Sequence, residues 1–199
     1  ALFAKEIVGQ LLRQKLVVVE RGKVVLVGRL EDAGIPASAA DLIASRIDEL
    51  TAAERVVLEV SASCGRAFAK DLISEVTGID DEVLVAVLQR LSTQKLLRLA
   101  RGDEANSDFD YVFRNNLTWE VCCRGVLDAR SREFHNRIGE ALERLKENNL
   151  RPQNETISEH YEQGGLLRRA AFFAEQAGLV YLRQYFYREA LRCFRRALD

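Results

Sequence analysis

From Thr51 onward the chain is punctuated so closely that its order of elements can be read from local signals alone. Thr51 followed by Glu54 is a capping box, in which a hydroxyl and a carboxylate each satisfy a backbone N–H of the opening turn. The helix it opens directs Val56, Val57 and Val60 inward, and Gly65 ends it. A second helix carries Phe68, Leu72, Ile73 and Val76 and stops at Gly78. A third begins at Asp80–Asp81, whose charges suit a helix N-terminus, and buries Leu84, Val87, Leu88 and Leu91. Then come LLRLA (96–100), a polar tip GDEANSD (102–108) and FDYVFR (109–114). In the last of these Phe109, Tyr111 and Phe113 alternate with polar or smaller neighbours, as in a half-buried strand. Helix, helix, helix, strand, long tip, strand is the order of a winged helix, a helix-turn-helix with a β-wing.

The flanks are simpler. Residues 2–14 place Phe3, Ile7, Leu11 and Leu12 on one helical face. LVVVERGKVVLVG (16–28) sets two β-branched runs around Arg21–Gly22, the pattern of a hairpin. After Pro36, Ser38 caps a helix with the stripe Ile43, Ile47, Leu50. Beyond the wing, 117–128 and 130–149 read as helices, the second striped by Phe134, Ile138, Ala141, Leu142 and Leu145. Asn148, Asn149 and Pro152 mark a break. From Asn154 the pattern is antiparallel helices. Ala170, Ala174, Ala177 and then Ala190, Phe194, Ala197 share a spacing, and Gly178, Tyr181 and Tyr187 hold small and aromatic positions around them. Small residues so spaced let helices approach closely, as in tetratricopeptide packing. The 20-residue interval between the segments is shorter than a regular array's, so the sequence predicts one long shared helix near 166–184 and an irregular start to a solenoid, with a plain helical hairpin as the alternative. The expected fold is therefore mainly α: a winged helix with small β-hairpins, then a tetratricopeptide-like helical repeat.

Composition narrows the function classes. The chain has 199 residues, 48% apolar and 30% charged, enough for one large or two small cores. No apolar run approaches the ~18–20 residues of a membrane span, and no secretory leader is present, so the reading is cytoplasmic with no membrane contact. The chain contains no Met, begins at Ala1 and stops at Asp199 straight after a helical pattern, which we read as a piece of a longer polypeptide. Cys64, Cys122, Cys123 and Cys193 form no CxxC pair, and His135 and His160 stand at no metal-ligand spacing to them, so no metal site is expected. Buried free thiols are the expectation. There is no GxxxxGK[ST] loop, GxGxxG, HExxH or nucleophile elbow, hence no cofactor for this chain. A Cys123/His135 nucleophile pair is the sole catalytic alternative, but the two fall on different helices, and His135 reads as a polar-face residue of 130–149.

Charge weighs against nucleic acid. A winged helix reads DNA with its third helix, yet residues 51–128 hold nine basic against thirteen acidic side chains, net −4. Asp80, Asp81 and Glu82 open that helix, Arg90 and Lys95 come late, and the tip adds Asp103, Glu104 and Asp108. Residues 129–199 differ, with thirteen basic and ten acidic groups, net +3. Arg168, Arg169, Arg192, Arg195 and Arg196 there are either a solvated face or a docking surface for an acidic partner or another domain of the same polypeptide.

The strings LFAKEIVGQLLRQKLVVVERGKVVLVGRL, IPASAADLIASRIDEL, LTAAERVVLEVSASCGRAF, YVFRNNLTWEV, SREFHNRIGEALE, SEHYEQGGLLRRAAFFAEQAG and YREALRCFRRAL, in that order, resemble the signal-transduction ATPases with numerous domains. The nearest in pattern are ATPase-bearing class III adenylyl cyclases of the soluble type and the large LuxR-like regulators. The resemblance covers nearly the whole chain. It implies that 1–50 is the end of an ATPase lid, 51–128 a winged helix, and 129–199 a helical linker and the start of tetratricopeptide-like repeats. It also implies ATP or ADP with Mg in the longer polypeptide, and protein partners on the repeats. The family has Phe-x-His-x-Leu after the wing, where the His senses nucleotide phosphates. Here Phe113-Arg114-Asn115-Asn116-Leu117 puts Asn115 at that position, with Arg114 as a substitute cation. Asn can donate a hydrogen bond but cannot become cationic, so the resemblance leaves Asn115 either a weaker sensor or a structural residue. The function expected on these grounds is a non-catalytic regulatory module coupling nucleotide state or partner binding to an effector. The alternatives are a DNA-binding winged helix, a thiol enzyme and a structural scaffold that never switches.

Overall fold

The structure, a computed structural model, describes residues 17–20, 23–26, 39–101, 109–147 and 154–198. The chain divides into two compact units, Ala1–Leu50 and Thr51–Asp199. The expected helix over 2–14, the Arg21–Gly22 turn, Pro36 and Ser38, the tip at 102–108 and the break at 148–152 lie outside the described residues. The described residues are mainly helical, with nine helices and five short strands.

In the first unit, β1 (Val17–Glu20) and β2 (Lys23–Leu26) pair antiparallel with Val18 opposite Val25, so the two β-branched runs form the expected hairpin. Helix α1 (Ala39–Asp48) buries Leu42 and Ile43, and Leu50 is buried just beyond its end.

The second unit opens with α2 (Ala52–Cys64). Its capping box is complete: the Thr51 Oγ1 accepts from the Glu54 N–H, and the Thr51 N–H donates to Glu54 Oε2 at 2.8 Å. Gly65 closes the helix at φ 125°, a conformation a side chain would strain. Phe68 was expected on the next helix but lies instead on a two-residue strand, β3 (Ala67–Phe68). It pairs with Tyr111, a partner too distant in sequence for helical periodicity to reveal. Helix α3 (Lys70–Thr77) follows and ends at Gly78, which is left-handed at φ 67°. Helix α4 (Asp81–Thr93), capped by Asp80, buries the predicted Leu84, Val87, Leu88 and Leu91.

Strands β4 (Leu97–Leu99) and β5 (Tyr111–Phe113) complete an antiparallel sheet of order β3-β5-β4. The expected alternation in β5 does not hold. Tyr111, Val112 and Phe113 are all buried, because packing covers both faces of the short strand, Phe68 meeting Tyr111 and Phe113 on one of them. Phe68 stacks on Tyr111 (centroids 6.1 Å apart) and meets Phe113 edge-on, which fixes that core.

Helix α5 (Asn116–Gly125) returns to α2, where the Trp119 indole donates to the Ala62 carbonyl at 3.0 Å. Helix α6 (Asp128–Glu147) packs on both sides: Arg137 donates to the Val76 carbonyl of α3, and Gly139 lies under the Tyr161 ring of α7. Helices α7 (Asn154–Gln163), α8 (Leu167–Arg183) and α9 (Tyr187–Leu198) run on as successive hairpins, α8 being the long helix expected near 166–184. Ala170, Ala174, Ala177 and Ala190 are buried between them, and Gly178 faces the Phe194 ring. Tyr187, expected at a packing position, is instead 62% exposed at the head of α9. No described helix is long and apolar enough to cross a membrane.

Candidate partner-binding surface

Chain geometry fixes Arg114 and Asn115 at the foot of β5. The Arg114 N–H donates to the Leu96 carbonyl at 2.9 Å, and its side chain is exposed. Asn115 is the N-cap of α5: its Oδ1 accepts from the Thr118 N–H at 2.8 Å and from the Thr118 hydroxyl at 3.0 Å. The side-chain oxygen is thus spent on the first turn of the helix, a service a histidine performs poorly.

At the head of α4 the negative groups are exposed and the nearest cation is taken. Asp80 Oδ1 accepts from the Glu82 N–H, and Lys70 Nζ lies 2.6 Å from Asp81 and 3.5 Å from Asp71. Arg90, late on the helix, pairs at 2.9 Å with the buried Glu54 carboxylate. Burial pushes the Glu54 carboxyl up, but the hydrogen bonds from Thr51 and the charge of Arg90 outweigh it and hold the group below its usual range.

The C-terminal arginines divide into three sets. Helix α7 carries Glu155, Glu159 and Glu162 at i, i+4 and i+7, and α9 presents Arg188, Arg192, Arg195 and Arg196 at matching intervals. Arg192 pairs with Glu155 at 2.6 Å, and Arg196 with Glu162 at 2.6 Å and Glu159 at 3.2 Å. Arg169 turns the other way, to Glu140 (3.5 Å), Glu143 (3.8 Å) and the Tyr161 hydroxyl (2.9 Å). That hydroxyl also donates to Glu143, and burial with this bond raises its pKa. Arg168, Arg188 and Arg195 are exposed and make no ion pair among the described residues. Three of the five predicted surface arginines therefore hold helices together.

Arg192, Arg195 and Arg196 line one open groove of ≈ 520 Å³, together with Arg188, Leu167 and Leu191. Arg168 and Arg169 are not among its lining, and Arg114 and Asn115 belong to a different element. Arg188 was missed by sequence reasoning, although its i, i+4, i+7, i+8 relation to the other three was there to be read.

The histidines and cysteines are buried or half-buried. His135, expected on a polar face, is buried on α6 with its Nδ1 2.9 Å from the Nδ1 of His160, because its face meets α7. Burial lowers both pKa values, and the neighbouring His135 lowers His160 further, to about 4. Cys123 has a different neighbour, its Sγ lying 3.7 Å from the Ala62 carbonyl, so His135 and Cys123 are not brought together. Burial pushes Cys64 and Cys122 up to about 12 and raises Cys123 and Cys193, leaving little thiolate near neutral pH. All four are free thiols, and no group of three or more metal-ligating side chains occurs among the described residues.

No protein-family description, no curated protein and no solved structure matches this chain.

Proposed function

We propose that the chain is a non-catalytic regulatory and docking module of a multidomain signalling ATPase, built from a winged helix (51–128) and the start of a tetratricopeptide-like repeat (129–199). The order α2, β3, α3, α4, β4, β5 and the sheet β3-β5-β4 support the winged-helix reading. The buried small residues of α8 and α9 support the repeat reading.

One observation carries the choice of protein over DNA as partner. At the end of α4 that a groove-reading helix would present first stand Asp80, Asp81 and Glu82, and Lys70 is bound to Asp81. A surface so charged gains nothing from counterion release. In this reading the winged helix is a hinge between neighbours in the polypeptide. This chain brings no phosphate loop of its own, so any contribution to nucleotide comes from the exposed Arg114, with Asn115 holding the helix start beside it.

The test has two arms. Duplex DNA titrated into the protein at low salt should give no anisotropy change, and a salt-dependent shift would favour the DNA-reading alternative instead. In the longer polypeptide that the resemblance implies, Arg114→Ala should weaken ADP binding about tenfold, as loss of one charged phosphate contact does. Asn115→Ala should act mainly on stability. ADP affinity unchanged in both variants removes the nucleotide-coupling role.

A further inference from the structure

Helix α9 is two-faced. Ala190 and Cys193 are buried and Phe194 packs over Gly178, while the opposite side carries the arginine row. Helix α7 neutralises half of that row, through Glu155 to Arg192 and through Glu159 and Glu162 to Arg196. Arg188 and Arg195 keep their charge facing solvent with no carboxylate partner among the described residues, so the groove is left net positive.

Beside these two guanidinium groups the groove is partly apolar, and the Glu162 carboxylate on its wall is already paired with Arg196. Leu191 on α9 is 50% exposed and Leu167 across the groove on α8 is 65% exposed, with Ala170, Ala171 and Ala197 lining the space between. A small anion would satisfy the arginines but leave both leucines wet. A purely apolar segment would cover the leucines but strand the guanidinium groups. A ligand that answers both needs an apolar ridge flanked by carboxylates. Arg188 and Arg195 are seven residues apart on one helix, a rise of ~10.5 Å, or about two turns. A second helix laid alongside offers carboxylates at that same repeat, with leucine-sized side chains three and four residues in from each.

We propose that the α7–α8–α9 groove docks an acidic amphipathic helix of a protein partner. Its apolar ridge covers Leu167 and Leu191, and its carboxylates, two turns apart, pair with Arg188 and Arg195. The proposal rests on the docking-module reading, but the DNA and ADP measurements do not involve α9, so the two fail separately.

The probe is a fluorescein-labelled synthetic helix with Leu at i, i+3, i+4 and i+7 and Glu on both flanks, compared with its Lys-for-Glu counterpart. Anisotropy is read with the whole chain at ~50 mM and ~300 mM salt, where the Debye length falls from ~14 to ~6 Å. The acidic peptide should bind, more weakly at high salt, and the basic one should not. The double variant Arg188→Glu/Arg195→Glu should lose at least tenfold in affinity and Leu191→Ser several-fold, whereas Arg183→Glu on α8, outside the groove, should change nothing. Circular dichroism should show each variant folded as the parent, and these surface positions make that the expected result. Several results overturn the proposal: binding of neither peptide, equal binding of both, or insensitivity to the double reversal. Equal affinity for polyglutamate lacking leucine does so too, by showing that the apolar ridge is irrelevant. So does a self-association, seen by sedimentation, that Leu191→Ser abolishes and the acidic peptide does not compete with, since the groove then belongs to a second copy.

Discussion

His135 and His160 share a hydrogen bond that a doubly protonated pair cannot make, because one Nδ1 must donate and the other accept. A first proton puts a charge in a buried site, and a second sets two donors face to face. No neighbouring carboxylate offsets the burial of either ring. Nothing there compensates an imidazolium. The folded pKa is below the unfolded one, so the unfolded state binds more protons in acid and stability rises with pH. The pair's contribution is complete above the unfolded value near 6.5 and is lost as pH falls toward about 4, the folded value of His160. At ~1.4 kcal/mol for each pH unit traversed, the loss is on the order of 3 kcal/mol. Urea titrations between pH 4 and 7 should show this slope, and His160→Gln, which keeps a hydrogen-bonding group but cannot titrate, should flatten it. A slope unchanged in His160→Gln assigns the acid sensitivity to carboxylates instead. None of this was legible in the sequence, because the partner sits 25 residues away on a face that only packing defines.

Elements with local signals match their expectation, whereas β3 and the α7–α9 ion pairs, which depend on partners far along the chain, do not. The Thr51–Glu54 box, Gly65, Gly78 and Asp80 act within one turn, so they marked α2, α3 and α4 without knowledge of the fold. Strand β3 has two residues and exists because Tyr111 and Val112 come to meet it, so Phe68 was given to the helix that follows. The ladder from α7 to α9 escaped for the same reason: Glu155 and Arg192 each look like solvated charges until the helices are laid side by side. The small-residue spacing was legible, and it makes a prediction for the α8–α9 pair. A methyl group on Gly178 would stand 2.6 Å from the Phe194 ring, closer than packed atoms tolerate. Alanine gains ~1 kcal/mol in helix propensity over glycine, while overpacking costs ~1–3 kcal/mol. Gly178→Ala should therefore destabilise by about 1 kcal/mol net. In a Phe194→Leu background the same change should stabilise instead, since the ring is gone. Thermal denaturation of the four proteins forms a double-mutant cycle, and additive effects would show that the Gly178–Phe194 contact does not limit the approach of the helices.

In the unit formed by Thr51–Asp199, α6 is the element that both the sheet-bearing and the all-helical parts depend on. Toward the former, Arg137 donates to the Val76 carbonyl at 2.6 Å, Arg144 pairs with Glu75 at 2.6 Å, and Arg130 with Glu59 at 3.2 Å. Toward the latter it supplies His135, the close approach at Gly139 and Asn136, whose amide donates to the Gly164 carbonyl. Phe134, Ile138, Ala141 and Leu142 are buried along its length. A helix with partners on both sides cannot release one set and keep the burial that holds the other, so the unit should unfold as a single cooperative body. Trp119, the one tryptophan, reports on the α2–α5 contact, far from α7 in the chain. Ser158, fully buried on α7, donates to the Ala170 carbonyl at 2.8 Å, and Ser158→Ala removes that bond, at a cost of ~1 kcal/mol, while the carbonyl keeps its place in the α8 ladder. If the unit is cooperative, this change should shift the tryptophan fluorescence transition in urea by the same free energy as the circular dichroism transition. A tryptophan transition that stays put while the helical signal moves would mean that α6 does not join the two parts. A partner bound at α9 would then have no mechanical route to the sheet, and docking and switching would have to be separate properties of the chain.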